Sequence, residues 1–196
     1  KSISQPIIRG VMAQSFLKDH PGEKVCYDIR PGKITEEMII AAGGIPIKTA
    51  VGHTKIKATM RKENAVFAGE NSGHFFTRTV HGSYETPMII ILKLFEFMTE
   101  GNRPIAELIQ PYKKYVNTGE INFHVDDKDK KIEEIKQKYS DGKQETLDGI
   151  TITYDNVWFN VRKSNTEPFL RVCVEGITKE IVEEKLKELK EIISSP

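Results

Sequence analysis

Apolar positions follow two rhythms along the chain. Ile7, Val11, Met12, Phe16 and Leu17 recur at helical spacing and predict a helix over residues 6–17. A β-rich run over 24–29 leads through Pro31-Gly32 into a helical stretch over 35–42 that ends at Gly43-Gly44. Residues 45–50 then read as a strand, 53–62 as a helix and 65–68 as a strand. Residues 87–98 read as a long helix with Pro87 in its first turn. Strands alternating with helices predict an α/β domain whose mostly parallel sheet is flanked by helices.

The second rhythm begins beyond a polar connection over 112–119. Residues 121–125 alternate as a strand, and Ile132, Ile135 and Tyr139 mark a helix face closed by Asp141-Gly142. Ile150, Ile152 and Tyr154 alternate, Asp155-Asn156 supplies a turn, and Val157, Phe159 and Val161 alternate again. Leu170, Val172 and Val174 add a strand, and Val182, Leu186, Leu189 and Ile193 close on a helix with charged residues opposite. This predicts a smaller α+β domain with a mostly antiparallel sheet, the boundary dividing the chain into 1–113 and 114–196. The charged run over 126–131 lacks the glycine and spacing of a calcium loop and reads as a solvated helix start.

Composition narrows the function classes. Among 196 residues, 29 Lys+Arg oppose 28 Asp+Glu for a net charge of +1, so no charge excess points to nucleic acid or a membrane surface as partner. The longest apolar run, Met88 to Leu92, stops at Lys93, far short of a span. Two cysteines, Cys26 and Cys173, are too few for a disulfide scaffold, which makes a reduced cytoplasmic protein the expectation. The chain begins Lys-Ser-Ile, without Met or a signal-like segment, and reads as part of a longer polypeptide.

Two segments put small, polar and charged residues where strands end. Gly69-Glu70-Asn71-Ser72-Gly73-His74 follows the strand over 65–68, where open α/β sheets place ligands. Glu70 can accept hydrogen bonds from sugar hydroxyls and Ser72 can donate or accept; the competing reading is a glycine-rich turn that satisfies its own backbone. Arg162-Lys163-Ser164-Asn165-Thr166-Glu167-Pro168 joins two strands and offers an arginine fork, small hydroxyl and amide side chains and free backbone N–H groups, as phosphate requires. Its competing reading is a solvated hairpin turn. His53 at a helix start and Arg30 at a strand end are lesser candidates, and Arg171 with Glu175 reads as a surface pair. No G-x-S-x-G elbow, G-x-G-x-x-G or P-loop occurs.

These segments, with Lys48-Thr49-Ala50-Val51-Gly52-His53-Thr54-Lys55-Ile56-Lys57 and Thr146-Leu147-Asp148-Gly149-Ile150, occur in an order that resembles the α-D-phosphohexomutase superfamily. The likeness is greatest to its phosphomannomutase/phosphoglucomutase group, domains three and four. The resemblance implies an isomerase acting by intramolecular phosphoryl transfer, which interconverts hexose 1-phosphate and 6-phosphate through a bisphosphorylated sugar. It implies Glu70 and Ser72 as contacts of the sugar hydroxyls and His74 beside the transferring phosphoryl group, as a possible catalytic residue. Arg30 and His53 would line the same cleft, although many relatives carry Lys where Arg30 stands. Arg162, Ser164, Asn165 and Thr166 would clamp the phosphate that is not transferred. The family's phosphoserine loop (T-A-S-H-N-P type) and magnesium loop (D-G-D-G-D type) do not occur in these residues. The magnesium cofactor and the N-terminal domains of the same polypeptide are therefore expected outside this chain, which should bind hexose phosphate without turning it over. A phosphoglucosamine mutase and a non-catalytic sugar-phosphate-binding module are the alternatives.

Overall fold

The computed structural model describes residues 3–30, 32–164 and 167–195. The chain divides into two compact units, Lys1–Lys114 and Tyr115–Pro196.

The first unit runs α1 (Gln5–Asp19), β1 (Lys24–Asp28), α2 (Lys33–Ala41), β2 (Ile45–Thr49), α3 (His53–Glu63) and β3 (Phe67–Gly69). A hairpin of β4 (Phe75–Thr79) and β5 (Gly82–Glu85) follows, then α4 (Pro87–Gly101) and the short α5 (Ile105–Leu108). The sheet order is β2-β1-β3-β4-β5. The first three strands are mutually parallel, and the hairpin adds two antiparallel pairings. Period-two spacing does not reveal the hairpin, because Phe75, Phe76 and Thr77 are buried in succession. Two reversals of direction bring the carboxyl end of β5 back to the edge where β1, β2 and β3 end.

Alternation along the strands splits the core between two faces. Cys26, Ala68 and Phe76 pack with Ile56 and Met60 of α3. On the other side Phe16 of α1 stacks on Phe67 at 4.9 Å, and Phe67 stacks on Phe75 at 6.0 Å. Helices thus cover both faces, as a sheet with parallel strands requires.

The second unit runs β6 (Val116–Asn117), β7 (Ile121–His124), α6 (Lys128–Lys138), β8 (Lys143–Glu145), β9 (Ile150–Thr153), β10 (Val157–Lys163), β11 (Phe169–Gly176) and α7 (Lys179–Ser194). Its sheet, β6-β11-β10-β9-β8 with β7 also paired to β11, is antiparallel at every pairing among the described residues. Ile150, Ile152, Phe159, Val161, Leu170, Val172 and Val174 form one buried face with Ile135 of α6 and Val182, Leu189 and Ile193 of α7. Asp127 caps α6 by accepting from the Lys130 N–H at 2.9 Å, so the charged run is a helix start. Two short strands escape the sequence pattern: β6 lies inside the polar connection, and β8 has no alternation to mark it.

Candidate functional site

The carboxyl ends of β1, β2 and β3 each deliver polar groups to one edge of the first sheet. At the end of β1, Asp28 is fully buried and collects most of the local donors. Its Oδ1 accepts from Arg9 Nη1 at 3.1 Å and from the Arg30 backbone N–H at 3.2 Å. Its Oδ2 accepts from Arg30 Nε and Nη2 at 3.1 and 2.5 Å and from the Asn71 N–H at 2.9 Å. Arg9 is also fully buried and donates through Nε to Thr35 Oγ1 at 3.1 Å. Burial pushes the Arg9 guanidinium below its ordinary value, and the Asp28 carboxylate opposes that shift. One carboxylate therefore fixes both the direction of Arg30 and the start of the loop after β3.

That loop presents Glu70 with its side chain almost entirely buried. The turn closes through the Glu70 N–H to the His74 carbonyl at 2.8 Å and the Gly73 N–H to the Glu70 carbonyl at 3.0 Å. Gly73 adopts φ +90°, a conformation that side chains disfavour. Glu70 Oε1 accepts from the Gly52 N–H at 3.2 Å and lies 3.9 Å from Arg30 Nη2. Gly52, at φ +132°, lets the chain after β2 turn its N–H toward Glu70. Glu70 Oε2 has no partner among the described residues. Ser72 is exposed at the same turn. The structure thus brings Arg30 and Glu70 together, with Ser72 beside them.

His53 and His74 meet through a residue the sequence pattern does not flag. Glu85, at the end of β5, accepts at Oε1 from His74 Nδ1 at 2.8 Å, and its Oε2 lies 3.7 Å from His53 Nε2. The two imidazoles stand edge to face with centroids 6.0 Å apart, and His53 rests on Phe76 at 4.9 Å. The hydrogen bond from His74, with the charges of both histidines, holds the Glu85 carboxyl below the usual carboxylate range. A carboxylate just before a proline-started helix gives no signal in sequence; only the strand reversals place it here.

The second unit holds a separate cluster. Arg162 on β10 and Arg171 on β11 are directly opposite in register, and both pair with Glu120. Glu120 Oε1 accepts from Arg171 Nη1 at 3.1 Å and its Oε2 from Arg162 Nη2; Arg171 Nη2 reaches Glu167 at 3.3 Å. Arg162 and Ser164 are nearly fully buried. Arg162 Nε, Arg171 Nε and Ser164 Oγ are buried without hydrogen-bond partners among the described residues. Buried donors left open in this way are uncommon and fit a site for an anion. Arg171 is thus no simple surface pair with Glu175, and Glu175 itself is buried. Asn165 and Thr166 lie outside the described residues.

Among the described residues no three of His, Cys, Asp and Glu gather into a set that could hold a metal ion. The described residues of this chain do not fit the implied magnesium.

The first unit thus gathers carboxylate, guanidinium, imidazole and hydroxyl groups at one sheet edge, and the second sets two arginines on one carboxylate. Residues 7–115 match the family model "Phosphoglucomutase/phosphomannomutase, alpha/beta/alpha domain III", and residues 120–192 match "Phosphoglucomutase/phosphomannomutase, C-terminal domain". The chain belongs to the phosphoglucomutase/phosphomannomutase family. A phosphomannomutase of Methanocaldococcus jannaschii is 41% identical over 188 residues, which cover 96% of this chain and 42% of that protein. A protein of Xanthomonas campestris named phosphohexose mutases is 40% identical over 169 residues, covering 85% and 38%. In structure, a phosphoglucomutase/phosphomannomutase family protein of Burkholderia thailandensis superposes with a TM-score of 0.83 at 24% identity, covering 97% of this chain and 42% of that one. An Aspergillus fumigatus N-acetylphosphoglucosamine mutase, in complex with GlcNAc-6P and magnesium, shares the fold with a TM-score of 0.64 at 11% identity, covering 97% and 43%. The chain spans about two-fifths of the length of the curated relatives it matches.

Proposed function

We propose that this chain is the sugar-recognising and phosphate-gripping part of a phosphohexomutase that interconverts hexose 1-phosphate and hexose 6-phosphate through a bisphosphorylated sugar. The observation that carries the reading is Glu70: a buried carboxylate, anchored at Oε1 by the Gly52 N–H and open at Oε2. An acceptor held in one direction selects hydroxyls by their position on a sugar ring. Ser72 adds a second hydroxyl contact, and Arg30, set by Asp28, contributes positive charge beside it. His74, oriented through Nδ1 by Glu85, leaves Nε2 for a phosphoryl oxygen or a proton, with His53 lining the same edge.

Arg162, Ser164 and Arg171 supply the open donors of a phosphate clamp, joined in this reading by Asn165 and Thr166. A phosphate entering there meets guanidinium groups already paired by Glu120, so binding is an exchange of carboxylate for phosphate. The phosphoserine and the magnesium ligands belong, in this reading, to the N-terminal part of the same polypeptide; the metal would neutralise charge in transfer. Two buried thiols, Cys26 and Cys173, accord with a cytoplasmic location, and no described helix is long and apolar enough to cross a membrane.

Calorimetric titration tests the reading. The chain should bind mannose 1-phosphate or glucose 1-phosphate more tightly than inorganic phosphate and turn over neither. Glu70→Gln should lower hexose-phosphate affinity by roughly 10-fold, the scale of one charged hydrogen bond, and leave inorganic phosphate unchanged. Equal loss for both ligands, or turnover by the chain alone, refutes the assignment.

A further inference from the structure

Helix α4 is apolar on two opposite faces, and only one of them is covered. Ile90 is buried, and Phe97 lines a hollow with Val11, Gln14 and Lys18 of α1. On the opposite side Met88, Ile91, Leu92 and Phe95 are 66%, 45%, 61% and 58% exposed. Their spacing, i, i+3, i+4 and i+7, is the stripe a helix normally turns toward a core. The outer faces of other helices are different: α6 shows Asp129, Glu133 and Lys136 to water, and α7 shows Glu183, Lys187 and Lys190. A helix apolar on both sides has the composition of one buried on both sides.

We propose that this stripe docks the N-terminal part of the same polypeptide, through an apolar face of that part; the proposal rests on the reading of the chain as a portion of a longer mutase. Relatives that match nearly all of this chain extend to more than twice its length, because the match covers only 42% of the Methanocaldococcus protein. A cover of sufficient size thus belongs to proteins of this kind. The area favours a tethered partner over a second copy. Four side chains, each about half exposed and with surfaces on the scale of ~150–200 Å², offer about 400 Å². That is half of the ~800 Å² per partner found in stable complexes of separate chains. It suffices within one polypeptide, where domain interfaces begin at ~300 Å² per side and the effective concentration is of millimolar order.

Hydroxyl-radical footprinting with mass spectrometry decides the matter. Met88 and Phe95 should oxidise at least ~5-fold more slowly in the full-length protein than in this chain alone, as burial of their side chains requires. Leu92→Glu combined with Phe95→Glu should return Met88 in the full-length protein to the rate of the chain alone. Equal Met88 rates in the two unsubstituted proteins overturn the proposal, and that comparison depends on no variant folding. Protection in the chain alone that grows with its own concentration also overturns it, by assigning the face to a second copy. Hexose-phosphate titration of the same samples separates the two readings: binding lost with the footprint kept sinks the functional reading and leaves the docking surface standing.

Discussion

Asp28→Asn should cost the first unit about 3–5 kcal/mol, the scale for leaving one member of a buried ion pair uncompensated. The substitution preserves volume but puts an amide where a carboxylate accepts five hydrogen bonds from Arg9, Arg30 and Asn71. Arg9, fully buried, then loses the carboxylate it faces at 3.1 Å. Either orientation of the amide turns an NH2 group toward donors, at Arg30 and Asn71 or at Arg9 and the Arg30 backbone, each unsatisfied group costing roughly 1–3 kcal/mol. The loss is large against the ~5–15 kcal/mol of a typical domain. Urea denaturation followed by far-UV circular dichroism measures it. Trp158, the single tryptophan, stands on β10 in the second unit, so its fluorescence follows that unit separately. A double-mutant cycle with Arg9→Met isolates the pair, with an expected coupling above about 1.5 kcal/mol. A loss under about 1 kcal/mol, or additive single effects, would refute the account of Asp28 as the group that holds this edge.

Two further outcomes follow from other parts of the chain. Arg162→Ala should weaken hexose-phosphate and inorganic-phosphate binding alike by roughly 1.5–3 kcal/mol, with Arg162→Lys losing most of the same amount because it lacks the fork; titrations in which both variants bind like the parent would reduce the loop after β10 to a turn. Burial pushes the Cys26 thiol up to about 12. The unfolded thiol ionises near ~8.5, so this contribution to stability is complete below that pH and is lost as pH rises toward 12. Iodoacetamide should therefore label Cys26 at pH 8 only at the rate of unfolding, and faster labelling of the native chain, read by mass spectrometry, contradicts its burial.

The spacing of apolar residues located most helices and the longer strands because each of those elements buries one regular face. It failed where burial is consecutive, as at Phe75-Phe76-Thr77, and in β6 and β8, whose two or three residues show no alternation of buried and exposed positions. Glu70, Ser72, His74 and Arg30 could be singled out as candidates because glycine turns at strand ends have a local signature. Glu85, Glu120 and Arg171 were not, since each owes its place to a pairing across strands. Register puts Arg171 opposite Arg162, and nothing in the chain's local pattern states that register. Asp28 was visible only as a neighbour of Arg30; its five accepted hydrogen bonds come from three separate segments.

The second of the two reversals that bring β5 back to the edge where β1, β2 and β3 end makes its turn at the opposite end of the sheet. Val80 there is 93% exposed, and Thr79, His81 and Gly82 close the turn among themselves, with Thr79 Oγ1 donating to the Gly82 carbonyl at 3.0 Å and accepting from the His81 N–H at 3.2 Å. Added residues between Val80 and His81 would lengthen a loop tip without shifting the Phe76–Glu85 pairing that sets the histidine contacts. The unit therefore offers a handle, at the far end of the sheet from Glu85 and the two histidines, for a fluorophore, an affinity tag or an inserted domain.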